Sequence, residues 1–310
     1  NHWPSLENDI GAVNQLFARF LPAGFYYKTF IHPRAAWKHV FEPFIRQSAG
    51  LGRAPTEPDV DRYEHFYAFV DVLVIGGGIA GLQAARAAGA SGARVLLLEQ
   101  ASHWGGRTPV DVEGGEAAVE EALAALRAMP NVTPRLRTMG AGVYDHGYVL
   151  GYERVADHAP ELCDAGAPRH RLWKIRAKQV VTATGAIERP LSFPGNDLPG
   201  VLLASAARDY VVNWAVAPGR RVVVVTNNDD AYRTALTLRA HGLEVPAVID
   251  ARPEGGGALM AEAEAAGIRV LRGAGIHKAL GKTRVEGVEV GPQAGRKATE
   301  TIACDAVAMS

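Results

Sequence analysis

The chain has 310 residues, 48% of them apolar and 21% charged, which is enough for two globular domains with cores of their own. Lys plus Arg and Asp plus Glu each total 33, so the charge balance indicates neither a nucleic-acid partner nor an anionic membrane surface. No apolar run is long enough to span a bilayer, and Cys163 and Cys304 have neither redox-pair nor zinc-ligand spacing. We therefore expect a cytoplasmic protein with free thiols.

Residues 1–70 form an N-terminal segment and linker that differ from the rest of the chain in aromatic and proline content. The pattern predicts helices over 9–20 and 34–48. Residues 23–30 form a dense aromatic cluster, which either packs on the domain that follows or contacts a partner protein. Residues 54–62, with two prolines and several charges, are typical of a linker.

A strand, a glycine-rich turn, a helix and a second strand follow one another in the next part of the chain. An apolar run over 71–75 predicts a buried parallel strand, and an alanine-rich run over 79–90 predicts a helix. A second apolar run over 94–98 predicts the next strand. The turn between the first strand and the helix has G-x-G-x-x-G spacing, so the whole unit is the βαβ fingerprint of a dinucleotide-binding site.

Each residue of this fingerprint has a distinct physical role. Gly76 forms the tight turn, Gly78 lets the backbone approach a pyrophosphate, and Gly81 lets helix and strand pack closely. The helix N-terminus at Ala80 offers free N–H groups and a partial positive charge to the phosphates. Glu99 ends the second strand and is placed to accept hydrogen bonds from an adenosine ribose.

Further elements complete this first dinucleotide-binding domain, which we place at 71–200. The pattern predicts a helix over 116–129 and strands over 132–136, 143–154, 171–177 and 179–186. The last of these is a buried strand that runs into a glycine turn, and we expect it to lie beside the first strand. Its end would bring Thr184 and Gly185 to the same pyrophosphate.

A second α/β unit, placed at 201–310, repeats this plan without the glycines. The pattern predicts strands over 221–225, 245–249, 268–271, 285–290 and 302–309, and helices over 231–241 and 258–266. The turn at 226–230 carries side chains and two carboxylates, which would repel and block a pyrophosphate; Asn228 or Asp229 is expected to cap the helix instead. We predict weak or absent binding of a second dinucleotide. The predicted fold class is α/β, with two Rossmann-like units of the FAD/NAD(P)-binding type after an irregular helical N-terminal segment.

The chain resembles the flavoproteins with two dinucleotide-binding domains, since Gly105-Gly106-Arg107 matches the Gly-Gly that often follows the ribose acid there. It further resembles the alpha subunit of heterotetrameric sarcosine oxidase. Three segments carry this resemblance, at 21–30, at 49–55 with 61–65, and at 172–190. The glycine-free turn at 226–232 fits the same family, and the match runs over almost the whole chain.

The resemblance implies a function for an assembled enzyme rather than for this chain alone. Enzymes of that family oxidise sarcosine to glycine, reduce O2 to hydrogen peroxide, and release the methyl carbon as formaldehyde or pass it to tetrahydrofolate. The resemblance implies catalysis at FAD in the beta subunit, with FMN held by beta at its boundary with alpha. Beta, gamma and delta subunits are the implied partners, and this chain is implied to bind NAD without turning it over.

Carried over residue by residue, the resemblance places an NAD site on Gly76, Gly78, Ala80, Gly81, Glu99, Gln100, Gly106, Arg107, Ala183, Thr184 and Gly185. Arg107 is expected near a phosphate or ribose. Gln100 stands where a basic residue would favour a 2′-phosphate, so it disfavours NADP. No catalytic residue and no metal ligand is predicted in this chain, because its ten histidines lack metal-ligand spacing and no nucleophile–base pair stands out.

Alternative interpretations stay open at this point. FAD and NAD present the same ADP half to the fingerprint, so the chain can also be an FAD-dependent subunit of a related amine or opine dehydrogenase. A self-sufficient flavoprotein with NAD(P)H at the second site is disfavoured by the glycine-free turn and the missing cysteine pair. A purely structural subunit with a vestigial site is disfavoured by the intact glycine loop and by Glu99.

Both ends of the chain look cut, since it begins Asn1-His2-Trp3-Pro4 and ends in an apolar run typical of a strand. Compared with the family, the sequence lacks an N-terminal ferredoxin-like region and a C-terminal aminomethyltransferase-like domain. A further strand that should follow Met309 and cover the dinucleotide is also missing. We therefore expect a fragment of a longer polypeptide.

Overall fold

The structure, a computed structural model, describes residues 3–5, 8–20, 23–25, 30, 32–52, 54–295 and 297–310. The chain divides into two compact units, Asn1–Val60 and Asp61–Ser310. Within the first unit, a 3-10 helix spans Ile10–Phe20, and consecutive helical segments span Arg34–Ala36, Trp37–Phe41 and Glu42–Ser48. These helices confirm the two predicted from the sequence. Part of the predicted aromatic cluster, residues 26–29, lies outside the described residues.

The first sheet contains six strands in the order β3-β2-β1-β6-β5-β4. The strands are β1 (Tyr63–Ile75), β2 (Val95–Leu98), β3 (Val132–Arg135), β4 (Thr138–Tyr144), β5 (Tyr148–Arg154) and β6 (His170–Thr182), and the helices are α1 (Ile79–Ala90), α2 (Thr108–Asp111), α3 (Gly115–Arg127) and α4 (Pro160–Asp164). Strands β3, β2, β1 and β6 are parallel, whereas β5 and β4 run antiparallel. Leu73 and Val74 in the centre of the sheet are fully buried, as the apolar run predicts.

In the first sheet, three predicted strands differ from the structure. Strand β1 begins at Tyr63 rather than at residue 71, because the alternating run before Asp71 pairs with the whole first half of β6. Strand β6 is continuous over 13 residues, where two shorter strands were predicted. The predicted strand over 143–154 is wrong, because the chain turns at Asp145–Gly147 and returns as an antiparallel hairpin. Gly147 permits this turn, since it adopts a φ of 68° and a Cβ there would overlap the carbonyl oxygen of Ala177.

The second half of the larger unit contains a five-stranded parallel sheet in the order β10-β9-β8-β14-β7 and a separate antiparallel sheet β11-β12-β13. The strands are β7 (Val201–Leu203), β8 (Val222–Thr226), β9 (Val248–Asp250), β10 (Val270–Arg272), β11 (Ala274–Leu280), β12 (Gly287–Pro292), β13 (Glu300–Ala303) and β14 (Ala306–Met309), and the helices are α5 (Ala204–Trp214), α6 (Asp230–Ala240) and α7 (Ala258–Ala265). One mixed sheet with four parallel strands and one fully parallel sheet, each with helices, confirm the predicted α/β class. The domain boundary at residue 200 stays a prediction.

The strand order brings the two glycine turns of the first half together. Ile75 at the end of β1 pairs with Thr182 at the end of β6, and the N–H of Ala183 donates to the Ile75 carbonyl at 2.8 Å. Ligands of parallel α/β sheets bind at such carboxyl ends of adjacent strands. In the described part of the chain, no helix combines the length and the hydropathy needed to cross a membrane.

Candidate functional site

In the glycine turn after β1, two glycines are required by the packing of the backbone and a third is not. A Cβ on Gly76 would overlap the carbonyl oxygen of Ala183, and one on Gly81 would overlap the carbonyl oxygen of Gly76. Gly78 differs, because its φ is −69° and its nearest protein atom would lie at 3.9 Å, the carbonyl oxygen of Gly105. The fold itself therefore does not require glycine at 78. The free space fits a ligand that approaches the backbone there.

Glu99 holds the same turn through its carboxylate. Its Oε2 accepts a hydrogen bond from the N–H of Gly77 at 2.6 Å, and its Oε1 accepts one from the N–H of Ala101 at 2.7 Å. The side chain is 8% exposed. Each carboxylate oxygen can accept more than one hydrogen bond, so Glu99 can fix the loop and still accept from a ribose hydroxyl.

A cleft of about 720 Å³ opens at these strand ends, within the usual size range of cofactor pockets. Nine of the eleven predicted site residues line it: Gly76, Gly78, Glu99, Gln100, Gly106, Arg107, Ala183, Thr184 and Gly185. Ala80 and Gly81 do not line the cleft. Ala80 is exposed on the first turn of α1, whereas Gly81 is buried against Gly76, in keeping with its predicted packing role. That these residues bind a cofactor stays a proposal.

Arg107 lies in the cleft wall, but three of its N–H groups are already engaged. Its Nε and Nη2 donate to the two oxygens of Asp111 at 3.0 and 2.8 Å, and its Nη1 donates to Asp209 at 2.8 Å. Burial lowers the pKa of Arg107, but these carboxylates outweigh the burial and hold the pKa above its usual range. A guanidinium has five N–H donors, so two remain for a ligand.

Below the cleft, Arg208 joins the two halves of the larger unit. Its fully buried side chain places Nη2 at 3.0 Å from Asp111 on α2 and at 2.8 Å from Asp230 on α6. Arg233 adds a hydrogen bond of 2.6 Å from its Nη1 to the carbonyl of Asp111. Burial raises the pKa of Asp230, but Arg208 and Arg233 outweigh it, so that pKa lies below its usual range. The sequence did not reveal this network, because its members lie far apart along the chain.

Glu188 contributes a second carboxylate to the cleft, which sequence reasoning also missed. Its Oε2 accepts a hydrogen bond of 2.7 Å from the N–H of Ser205, in the first turn of α5. Its Oε1 is buried and has no hydrogen-bond partner in the described part of the chain. The residue lies in the segment at 172–190 that carries the family resemblance, but the sequence analysis assigned it no role.

The corresponding turn of the second sheet is filled by its own side chains. Arg252 pairs with Asp229 at 2.7 Å and with Asp250 at 2.7 Å, and Tyr232 donates its hydroxyl to Asp250 at 2.7 Å. Asp250 therefore occupies the position of a ribose acid, yet is fully buried and already bonded. The N–H of Asp230 donates to the side chain of Asn228 at 3.1 Å, whereas Asp229 bonds no N–H of the helix. This geometry favours the prediction that a second dinucleotide binds here weakly or not at all, which stays a prediction.

Both cysteines are free thiols, and we expect them to react at very different rates. Cys304 is 4% exposed, and burial raises the pKa of its thiol to about 12, so little thiolate is present near neutral pH. Cys163 is only partly buried. Ellman's reagent should therefore label Cys163 and leave Cys304 unlabelled in the folded chain, with both labelled in denaturant. A Cys163→Ser variant should lose the native labelling; native labelling of Cys304 at a similar rate would contradict the structure.

Among the described residues, no three histidine, cysteine or acidic side chains are grouped so that they could hold a metal ion. The side chains lining the cleft there include no histidine, cysteine, lysine or tyrosine. Its charged side chains are the carboxylates of Glu99, Asp111, Glu188 and Asp230 and the guanidinium of Arg107.

Comparisons with known proteins agree with this geometry. Residues 70–310 match the family of the pyridine nucleotide-disulphide oxidoreductases. The chain is 44% identical over its whole length to the sarcosine oxidase alpha subunit of Rhizobium meliloti (strain 1021), and spans 31% of that relative. It is 31% identical to an opine oxidase subunit from Agrobacterium tumefaciens (strain Ach5), over 59% of this chain and 37% of the relative. The predicted resemblance to the sarcosine oxidase alpha subunit is thereby confirmed.

A solved structure supports the fold alone. Thioredoxin reductase from T. acidophilum superposes with a TM-score of 0.57 at 20% identity, covering 78% of this chain and 76% of that one. The predicted pair of Rossmann-like units is therefore confirmed as the fold class.

Proposed function

Because the chain belongs to the pyridine nucleotide-disulphide oxidoreductase family, we propose that it is the NAD-binding part of a sarcosine oxidase alpha subunit. The observation that carries this proposal is the 44% identity to such a subunit over the entire chain, and it is supported by a cleft that nine of the predicted site residues line. The relative is about three times as long as this chain, so the activity and partners of a whole enzyme are proposed here, not observed.

The residues of the cleft fit a dinucleotide. Gly78 leaves room for a pyrophosphate, and the first turn of α1 offers its N–H groups to the phosphates. Glu99 is available to an adenosine ribose, and Thr184 and Gly185 lie at the end of the neighbouring strand. NAD would bring a nicotinamide ring capable of accepting hydride, but in this proposal it is held without turnover.

The chemistry is assigned to partner subunits, as the resemblance to the sarcosine oxidase alpha subunit implies. We propose that sarcosine is oxidised to glycine at FAD in a beta subunit, with formaldehyde or methylene-tetrahydrofolate and hydrogen peroxide as the other products. FMN would lie at the boundary between alpha and beta, in a cytoplasmic heterotetramer that also contains gamma and delta subunits. These assignments rest on the resemblance to the sarcosine oxidase alpha subunit.

A second candidate is an FAD-dependent subunit of an amine or opine dehydrogenase. The 31% identity to the opine oxidase subunit favours it, and the ADP half of FAD would fit the same glycine turn. The two candidates differ in the group beyond the pyrophosphate, so the identity of the bound nucleotide separates them.

Isothermal titration calorimetry of the purified chain with NAD and with FAD tests the proposal. We expect saturable NAD binding at one site per chain, because the second turn is closed by Asp229, Asp250 and Arg252. We expect no saturable binding of FAD. Binding of FAD in place of NAD would overturn the NAD-subunit proposal in favour of the second candidate.

A further inference from the structure

The cleft extends well beyond the glycine turn, and its far end has a defined charge. Past Thr184 and Gly185, the lining residues include Glu188, Asn228 and Asp230. Around this end, the guanidinium groups of Arg107, Arg208 and Arg233 pair with the carboxylates of Asp111, Asp209 and Asp230, and Glu188 adds a fourth carboxylate to the lining. The three guanidinium groups do not neutralise all four carboxylates, so this end of the cleft carries a net charge of one negative unit.

Glu188 is the carboxylate of this group without a basic partner in the described residues. Its Oε2 accepts from the N–H of Ser205 at 2.7 Å, so it caps the N-terminus of α5, where the helix dipole stabilises a negative charge. Its Oε1 is buried and accepts no hydrogen bond from any residue that the structure describes. A buried acceptor left without a partner is unfavourable in the free protein, and a ligand donor would relieve it.

The position of Glu188 relative to the pyrophosphate decides which half of a dinucleotide it meets. The glycine turn contacts Glu99 on one side, through the N–H of Gly77, and packs on Ala183 and Thr184 on the other. Glu99 lies on the side of the adenosine half of the dinucleotide, because it is the residue placed to bond the adenosine ribose. Glu99 follows β2 and Glu188 follows β6, and these strands lie on opposite sides of β1. Glu188 also bonds Ser205 of α5, so it lies on the side of the glycine turn away from Glu99, toward the half beyond the pyrophosphate.

We propose that Glu188 selects the oxidised nicotinamide half of NAD, accepting a hydrogen bond from its carboxamide and facing its positively charged ring. A carboxylate complements both the N–H2 donor and the ring charge, whereas reduced nicotinamide is neutral. An isoalloxazine gains negative charge on reduction, which this end of the cleft would oppose. The inference rests on the proposed function, because it takes NAD to be the bound dinucleotide.

Calorimetry with NAD+, NADH and ADP-ribose on the wild-type chain and on Glu188→Gln tests this selection. Gln keeps an oxygen that can accept from Ser205 but removes the charge. We expect wild type to bind NAD+ more tightly than NADH, and Glu188→Gln to weaken NAD+ binding by about tenfold or more. The preference for NAD+ over NADH should fall, while ADP-ribose, which lacks the nicotinamide, should bind the variant about as well as wild type. Glu121→Gln, an exposed carboxylate on α3, should change none of these affinities.

Two outcomes would overturn the role of Glu188 while leaving NAD binding intact. One is an unchanged NAD+ affinity in Glu188→Gln. The other is an equal loss for NAD+ and ADP-ribose, which would assign Glu188 a structural role as a helix cap. Wild-type chain that binds ADP-ribose and FAD but not NAD would instead overturn the proposed function, and the selection with it.

Discussion

Replacing Gly78 by valine is expected to weaken NAD binding by about 100-fold or more while the chain stays folded, because charge-assisted contacts to the pyrophosphate are lost. Gly78 has a φ of −69°, and an added Cβ would meet protein atoms only at ordinary contact distances. We therefore expect the fold to accept valine, whose larger side chain would take up space in the cleft. We expect a loss of stability of about 1 kcal/mol or less from the poorer helix N-cap. Calorimetric titration with NAD and urea unfolding measure the two effects.

Gly81→Ala is the matched control, since it adds a smaller group to the same turn. Its Cβ would overlap the carbonyl oxygen of Gly76, so the helix and strand must move apart. We expect the free energy of unfolding to fall by at least about 1–3 kcal/mol, because the added methyl group overpacks the turn. A Gly78→Val chain that binds NAD as tightly as wild type would contradict the account of the cleft. A fully stable Gly81→Ala chain would contradict the packing of the turn.

Replacing Arg208 by leucine is expected to lower the free energy of unfolding by about 3 kcal/mol at pH 7, because a buried charge partner is removed. The fully buried guanidinium bridges Asp111 and Asp230, and leucine leaves those carboxylates with fewer partners. The pKa of Asp230 is held below its usual range in the folded chain. The ionised Asp230 carboxylate therefore stabilises the fold fully above the pKa it has in the unfolded chain, and this stabilisation is lost as the pH falls through the lowered pKa of the folded chain. The stability difference between wild type and variant should therefore narrow in acid.

Arg127→Leu is the control for the Arg208 variant. Arg127 pairs with Glu120 on the surface, and both side chains are more than half exposed. We expect a change within about 0.5 kcal/mol, since exposed ion pairs contribute little. Urea unfolding at neutral and acidic pH measures both variants. If Arg208→Leu were as stable as wild type at pH 7, the network would not hold the two halves together.

The first half of the site could be predicted because its signals are contiguous in sequence. Gly76, Gly78 and Gly81 lie within one turn, and the strand that ends at Glu99 follows after a single helix. The missing glycines of the turn at 226–230 could also be recognised from adjacent residues in the sequence. A turn signal at Asp145-His146-Gly147 was available for the missed hairpin, since glycine there permits a positive φ.

The rest of the cleft could not be predicted, because it depends on contacts between distant residues. Arg107 was expected to meet a phosphate or ribose, yet Asp209, 102 positions later, holds one of its nitrogens. The burial of Arg208 depends on helices from both halves of the unit. Glu188 stands out only in the structure, where Ser205 bonds one of its oxygens and no described residue bonds the other.

The identity of the nucleotide that the purified chain carries tests the central claim most directly. The measurement is a visible absorption spectrum, followed by mass spectrometry of the nucleotide released on denaturation. The account predicts a colourless protein that releases NAD, with the flavins confined to partner subunits. A yellow protein that releases FAD would contradict it and assign the first cleft to a redox-active flavin.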